Sequence, residues 1–80
     1  MINKVKRYLK NKSRSEIKAI VNHSDLTETE QWLIYYTYGE KRMVINTCMK
    51  LNLSRAQFFI TQLSALLKLY YILDIKSLDF

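Results

Sequence analysis

Residues 51–59 read Leu51-Asn52-Leu53-Ser54-Arg55-Ala56-Gln57-Phe58-Phe59, LNLSRAQFF. The fold turns on how this stretch is read. Asparagine is the best non-glycine candidate for positive φ, so Asn52 can end a helix in the left-handed conformation. Ser54 is a natural N-cap for the helix that follows. On the N-terminal side, Val44, Cys48 and Leu51 fall at i, i+4 and i+7, with Ile45 and Met49 beside them. That spacing predicts a helix over about residues 41–50. On the C-terminal side a long apolar run predicts a helix over about 55–72.

Two helices joined by so short a turn make a helix-turn-helix when they cross steeply. The crossing needs a small residue, and Cys48 occupies that place. The turn needs an apolar plug, and Leu53 supplies it. The second helix needs an anchor against the first, and Phe58 is spaced to serve. Cys48 is therefore read as a packing residue.

The rest of the chain also reads as helical. Its 80 residues contain no proline and one glycine, Gly39. Few turns with positive φ are available, which disfavours an all-β fold. Ile2, Val5 and Leu9 predict a basic first helix over about residues 2–11. Ser13-x-x-Glu16 has capping-box spacing and opens a second helix carrying Ile17, Ile20 and Val21. It should end near Asn22-His23-Ser24. Thr27-x-x-Glu30 repeats the spacing and opens a third helix over about 28–38, with Glu28 and Glu30 favoured by the helix dipole. Gly39 then predicts a left-handed C-cap. The expectation is one all-α, five-helix domain over residues 1–80. Its basic N-terminal helices cover about 2–22, its helix-turn-helix core about 26–73, and its tail 74–80. The tail, DIKSLDF, is expected to fray or to pack on a neighbour.

Charge is unevenly placed. The formal net charge is +6. Residues 1–18 carry Lys4, Lys6, Arg7, Lys10, Lys12, Arg14 and Lys18 against Glu16 alone, which is the whole excess. Residues 40–68 add Lys41, Arg42, Lys50, Arg55 and Lys68 against Glu40. Such asymmetry points to a polyanion partner, with a solvated basic helix as the plain alternative. A membrane-surface role for the first helix ranks lower, because its apolar face is short.

The ordered set of residues resembles a known family. The stretch LTETEQWLIYYTYGEKRMVINTCMKLNLSRAQFFITQLSALLKLYYIL resembles region 4 of bacterial sigma factors. It is closer to the sigma-region-4-like phage transcription regulators of the ArpU and RinA groups. The resemblance covers about residues 26–73. It rests on the Glu-rich start before an aromatic-aliphatic helix, on LNLSRAQFF, and on the following ALLKLYYIL. It implies a regulator from a phage or mobile element, acting on double-stranded DNA in the bacterial cytoplasm. By that resemblance Arg55, Gln57 and Thr61 face the bases in the major groove. Ser54 and its helix N-terminus take a phosphate. Lys41 and Arg42, at the start of the preceding helix, hold backbone and set register. Lys4, Lys6, Arg7 and Lys10 of the first helix add backbone contacts. Two departures stand out. Thr61 and Thr47 replace residues that are apolar in the family, and the recognition helix is uncharged from Phe58 to Leu67.

The last helix is apolar almost all round. Phe58, Leu66 and Leu69 read as core. Ile60, Leu63, Leu67, Tyr70 and Tyr71 read as a protein interface, with Trp32 a further candidate. A homodimer is expected through this face. The second functional reading follows from it: a helix-turn-helix scaffold serving as an interaction module for RNA polymerase, a host regulator or another phage protein. Catalysis is not expected. The chain shows no Ser/His/Asp set, no paired carboxylates in an evident cleft and no glycine-rich phosphate loop. His23 stands alone in a polar turn, and Cys48 can form neither an intramolecular disulfide nor a metal cluster. No metal or cofactor is implied. No apolar run approaches the roughly 18 residues of a membrane span.

Overall fold

Helix boundaries follow from caps. In the computed structural model, which describes residues 2–73, three N-termini carry complete capping boxes. Ser13 opens α2, Arg14–Asn22, reciprocally with Glu16. Thr27 opens α3, Glu28–Ile34, with Glu30. Ser54 opens α5, Arg55–Ile72, with Gln57. In each box a hydroxyl accepts the N3 amide while the N3 side chain accepts the cap amide, so two orphan donors are satisfied together. The remaining helices are α1, Ile2–Lys10, and α4, Val44–Leu51. All regular structure among the described residues is helical, with no strand. The expectation for the tail at 74–80 falls outside the described residues.

The third helix departs from expectation at its end. α3 runs on into a π-helical segment, Tyr35–Gly39, in which the Glu40 amide donates to the Tyr35 carbonyl at 2.9 Å. Gly39 does not take the left-handed cap expected of it. Positive φ falls instead on Lys41, at 55°. Gly39 allows a close approach instead: a Cβ there would lie 3.1 Å from Cδ1 of Tyr35, so that ring would have to shift, and in ordinary contact at 3.5 Å with Cγ2 of Ile17. The left-handed turn at Lys41 also delays α4. That helix starts at Val44 rather than near 41, with Met43 as an N-cap that makes no side-chain bond.

Helix α5 is the central element. It packs on α1, α3 and α4, while α2 packs on α3 and the π-helical segment. Val5 and Leu9 of α1, Ile17 of α2, Leu33 and Ile34 of α3, and Phe58, Leu66 and Leu69 of α5 are buried in one core. Each such side chain contributes about 1.5–3 kcal/mol through burial. Phe58, Leu66 and Leu69 thus occupy the core, as their spacing predicts.

One charged residue lies in the interior. Glu30 is 4% exposed. Its carboxylate accepts from the Thr27 amide at 2.8 Å, the Ser64 hydroxyl at 2.7 Å and the Lys68 ammonium at 2.8 Å. Burial works against its ionisation, but the bonds from Lys68, Thr27 and Ser64 outweigh that and hold the carboxyl below its ordinary range. The residue that caps α3 therefore also ties α3 to the middle of α5.

Candidate functional site

The α4–α5 corner is built by backbone bonds. Asn52 adopts φ 56° and ψ 47°, the left-handed conformation its sequence position predicts. The Asn52 and Leu53 amides both donate to the Cys48 carbonyl, the latter at 2.9 Å, which satisfies the end of α4. Cys48 is buried beneath the turn, and its thiol lies 3.9 Å from the Ser54 carbonyl. Thr47, beside it, is fully buried, and its hydroxyl has no hydrogen-bond partner.

The corner presents the first turns of α5 to solvent. Ser54, Arg55, Ala56 and Gln57 are all exposed. The Ser54 hydroxyl accepts the Gln57 amide at 3.1 Å, so its proton is the part left for an anion. Gln57 is only partly available. Its Oε1 accepts the Ser54 amide at 2.8 Å, which leaves the Nε2 group for an outside partner. Ser54-x-x-Gln57 has capping-box spacing, so this second role of Gln57 is already written in the sequence. Thr61 follows Gln57 by one helical turn but is less exposed. It is half-buried and lies beside Glu30, Ser64 and Lys68, near the start of α3. At about 100° per residue, the outward face continues from Ala56 through Ile60 and Leu63.

Tertiary packing gathers basic side chains from distant segments. Lys6 and Lys10 of α1, with Lys41 and Arg42 of the turn before α4, surround a shallow depression. Its floor includes Phe58, Phe59 and Val44, and among the described residues no carboxylate lines it. Lys4 and Arg7 are exposed on other sides of α1 and lie outside the depression. Arg42 is held in place: its guanidinium donates to Glu40 and, at 2.8 Å, to Asn46, and it lies over the Tyr36 ring. Bonding to Arg42 is the main influence that lowers the Glu40 carboxyl from its ordinary value. Lys41 and Arg42 lie in a turn rather than at the helix start expected for them. The cause is the left-handed backbone at Lys41.

A second surface feature runs along α5. Ala56, Ile60, Leu63, Leu67 and Tyr70 follow alternating spacings of four and three residues. Such spacing keeps one stripe of a helix in line. Ile60 is 69% exposed and Leu63 50%, while Leu67 and Tyr70 are half-buried. Tyr71 beside the stripe is exposed. On α4, Ile45 and Met49 are exposed as well.

Among the described residues, no group of three or more His, Cys, Asp or Glu side chains is placed to hold a metal ion. No described helix is long and apolar enough to cross a membrane. Comparisons with protein-family models, curated proteins and solved structures gave no match. The resemblance to sigma region 4 thus rests on this chain's own residues.

Proposed function

We propose that this protein binds duplex DNA in transcriptional control, with α4 and α5 as a helix-turn-helix. The observation that carries the reading is the convergence of Lys6, Lys10, Lys41 and Arg42 around one depression beside α5. Duplex backbone is a regular array of anions, and a cluster of four cations suits it, only Arg42 among them being paired with a carboxylate among the described residues. Arg55 at the exposed start of α5 is the principal base reader, suited to guanine O6 and N7. The Gln57 amide nitrogen and the Ser54 hydroxyl assist it. Past Arg55 the outward face is apolar, so affinity comes mainly from the backbone and base reading is narrow.

The test is a fluorescence titration of labelled duplex at graded salt. Four neutralised phosphates give a log–log slope of about −3.6, hence roughly a 150-fold loss of affinity between 50 and 200 mM salt. A Lys6→Ala/Lys10→Ala variant should reduce that slope by about 2. Arg55→Ala should cost about 1–3 kcal/mol on the preferred site and relax preference at one base pair. No binding to any duplex, or binding that ignores salt, rules the proposal out.

A protein-interaction module is the second reading, and the exposed stripe on α5 favours it. Ile60 and Leu63 lie on the face where a DNA reader needs polar groups. In that case α5 packs on a second copy, on RNA polymerase or on another regulator. Leu63→Lys separates the readings. If it abolishes activity while Arg55→Ala leaves activity intact, the interaction reading stands in place of DNA reading. Light scattering across a concentration series tests the homodimer directly.

A further inference from the structure

A partly enclosed concavity lies away from the outward face of α5. It is a hollow of about 330 Å³ between α2, α3, the π-helical segment and α4. That volume is at the lower end of the range for small-ligand pockets. Trp32, Tyr35 and Tyr36 form its aromatic wall, and Lys18, Arg42 and Lys50 supply cations at its edge.

We propose that this hollow takes a nucleoside phosphate, its base stacked on Trp32 and its phosphate held by Lys18 and Lys50. Three observations support the assignment. Trp32 is 44% exposed, so this large apolar residue keeps much of its surface in water. It already stacks on Tyr36, with centroids 5.4 Å apart and planes 25° from parallel, so a base would extend an existing stack. Lys18 and Lys50 both line the hollow that this stack walls. Lys50 lies 5.7 Å from the Tyr36 centroid, and neither Lys18 nor Lys50 has a carboxylate partner among the described residues.

The hollow contains one acid, Glu40, and it is already engaged. Arg42 pairs with it. Its charge is therefore matched within the wall, and Lys18 and Lys50 remain as the unpaired charges. Gln31 donates from Nε2 to the Leu26 carbonyl at 3.0 Å, which directs its Oε1 to an outside donor such as an exocyclic amine. Rings for the base, ammonium groups for the phosphate and an amide for the base edge together define the ligand class. Two of the three rings, Tyr35 and Tyr36, come from the π-helical segment, a backbone irregularity found frequently at functional sites. A base within a duplex is already stacked on its neighbours, so the hollow suits only a free nucleotide or an unstacked one in a single strand. The proposal stands independently of duplex binding, and Lys18 and Lys50 take no part in that reading.

Trp32 is the only tryptophan in the chain, so its emission reports the site directly. Adenosine monophosphate, adenosine, inorganic phosphate, a short single strand and the same strand as a duplex are titrated separately. The indole is excited at the red edge of its band to avoid absorption by the base. Adenosine monophosphate or the single strand should quench saturably. Adenosine should bind at least about tenfold more weakly, the equivalent of about 1.4 kcal/mol. Lys18→Ala and Lys50→Ala, both at exposed positions, should each weaken binding several-fold. Quenching by the mononucleotide identifies a free ligand, and quenching by the strand alone identifies an unstacked nucleotide in a chain. Heteronuclear shifts of the Trp32 indole N–H in the parent protein give a second readout that needs no variant. Absence of saturable quenching by both ligands overturns the proposal, as does equal affinity for adenosine and its phosphate. Loss of duplex binding in the Lys6/Lys10 variant with nucleotide quenching intact shows the two sites to be separate.

Discussion

Removing the carboxylate of Glu30 should destabilise the fold more than its place in a helix cap suggests. In Glu30→Ala the Thr27 amide loses its acceptor, which costs about 1 kcal/mol as for other lost caps. The Ser64 hydroxyl loses a charged partner at 2.7 Å, worth about 1.5 kcal/mol. The Lys68 pair adds less. That side chain is 41% exposed, so its ammonium returns to water and the loss stays below about 1 kcal/mol. Together these come to about 3 kcal/mol, against a total stability of about 4–12 kcal/mol for a chain of this length. Glu30→Gln keeps the length and can cap as Gln57 does, so its cost should be nearer 1 kcal/mol. Urea unfolding should show a lower midpoint with unchanged slope. The pH dependence supplies an independent check. The folded Glu30 carboxyl titrates below the unfolded value of 4.5. Its contribution is therefore complete above that value and is lost as pH falls through the lower folded one. The parent should lose this stability in acid, and Glu30→Gln should lack that part of the slope. If both variants lie within about 0.5 kcal/mol of the parent, the buried network does not hold α3 to α5 and the reasoning fails.

Three further outcomes are expected. Thr47→Val should raise stability by about 1 kcal/mol in the same urea experiment, because it replaces a buried hydroxyl that has no partner with a methyl of similar volume. Asn52→Gly should be tolerated, whereas Asn52→Ala should cost about 1 kcal/mol, since the position is held in the left-handed region. Equal melting temperatures for these two variants would show that the backbone there is not constrained. Gly39→Ala should displace the Tyr35 ring, which meets the new Cβ at 3.1 Å, and should change Trp32 emission through their edge-on contact. Unchanged emission would show that the ring has room to spare.

Local chemistry accounts for what was legible in the sequence. A cap needs a hydroxyl and an acceptor three residues apart, so Ser13, Thr27 and Ser54 mark three helix starts without any knowledge of the fold. A left-handed turn favours glycine or asparagine, so Asn52 marks the end of α4. Periodicity likewise places Phe58, Leu66 and Leu69 inside. The same local rules misassigned Gly39, because glycine serves close approach as well as positive φ. Lys41 takes the left-handed position that no propensity scale would give it.

The pairing of distant segments was decided only by tertiary structure. Glu30 has the sequence of a surface cap, but α5 lies across the start of α3 and buries it against Ser64 and Lys68. Lys6 and Lys10 meet Lys41 and Arg42 because α1 and the turn before α4 flank the same side of α5. The aromatic hollow has the same origin, since Trp32 and Tyr36 acquire Lys18 and Lys50 from two other helices. Caps, turns and apolar periods are contained within a few residues, so the chain by itself determined its helices and the corner at Asn52. Electrostatic clusters and concave surfaces depend on how those helices pack, and packing brings together residues with no sequence relation to one another.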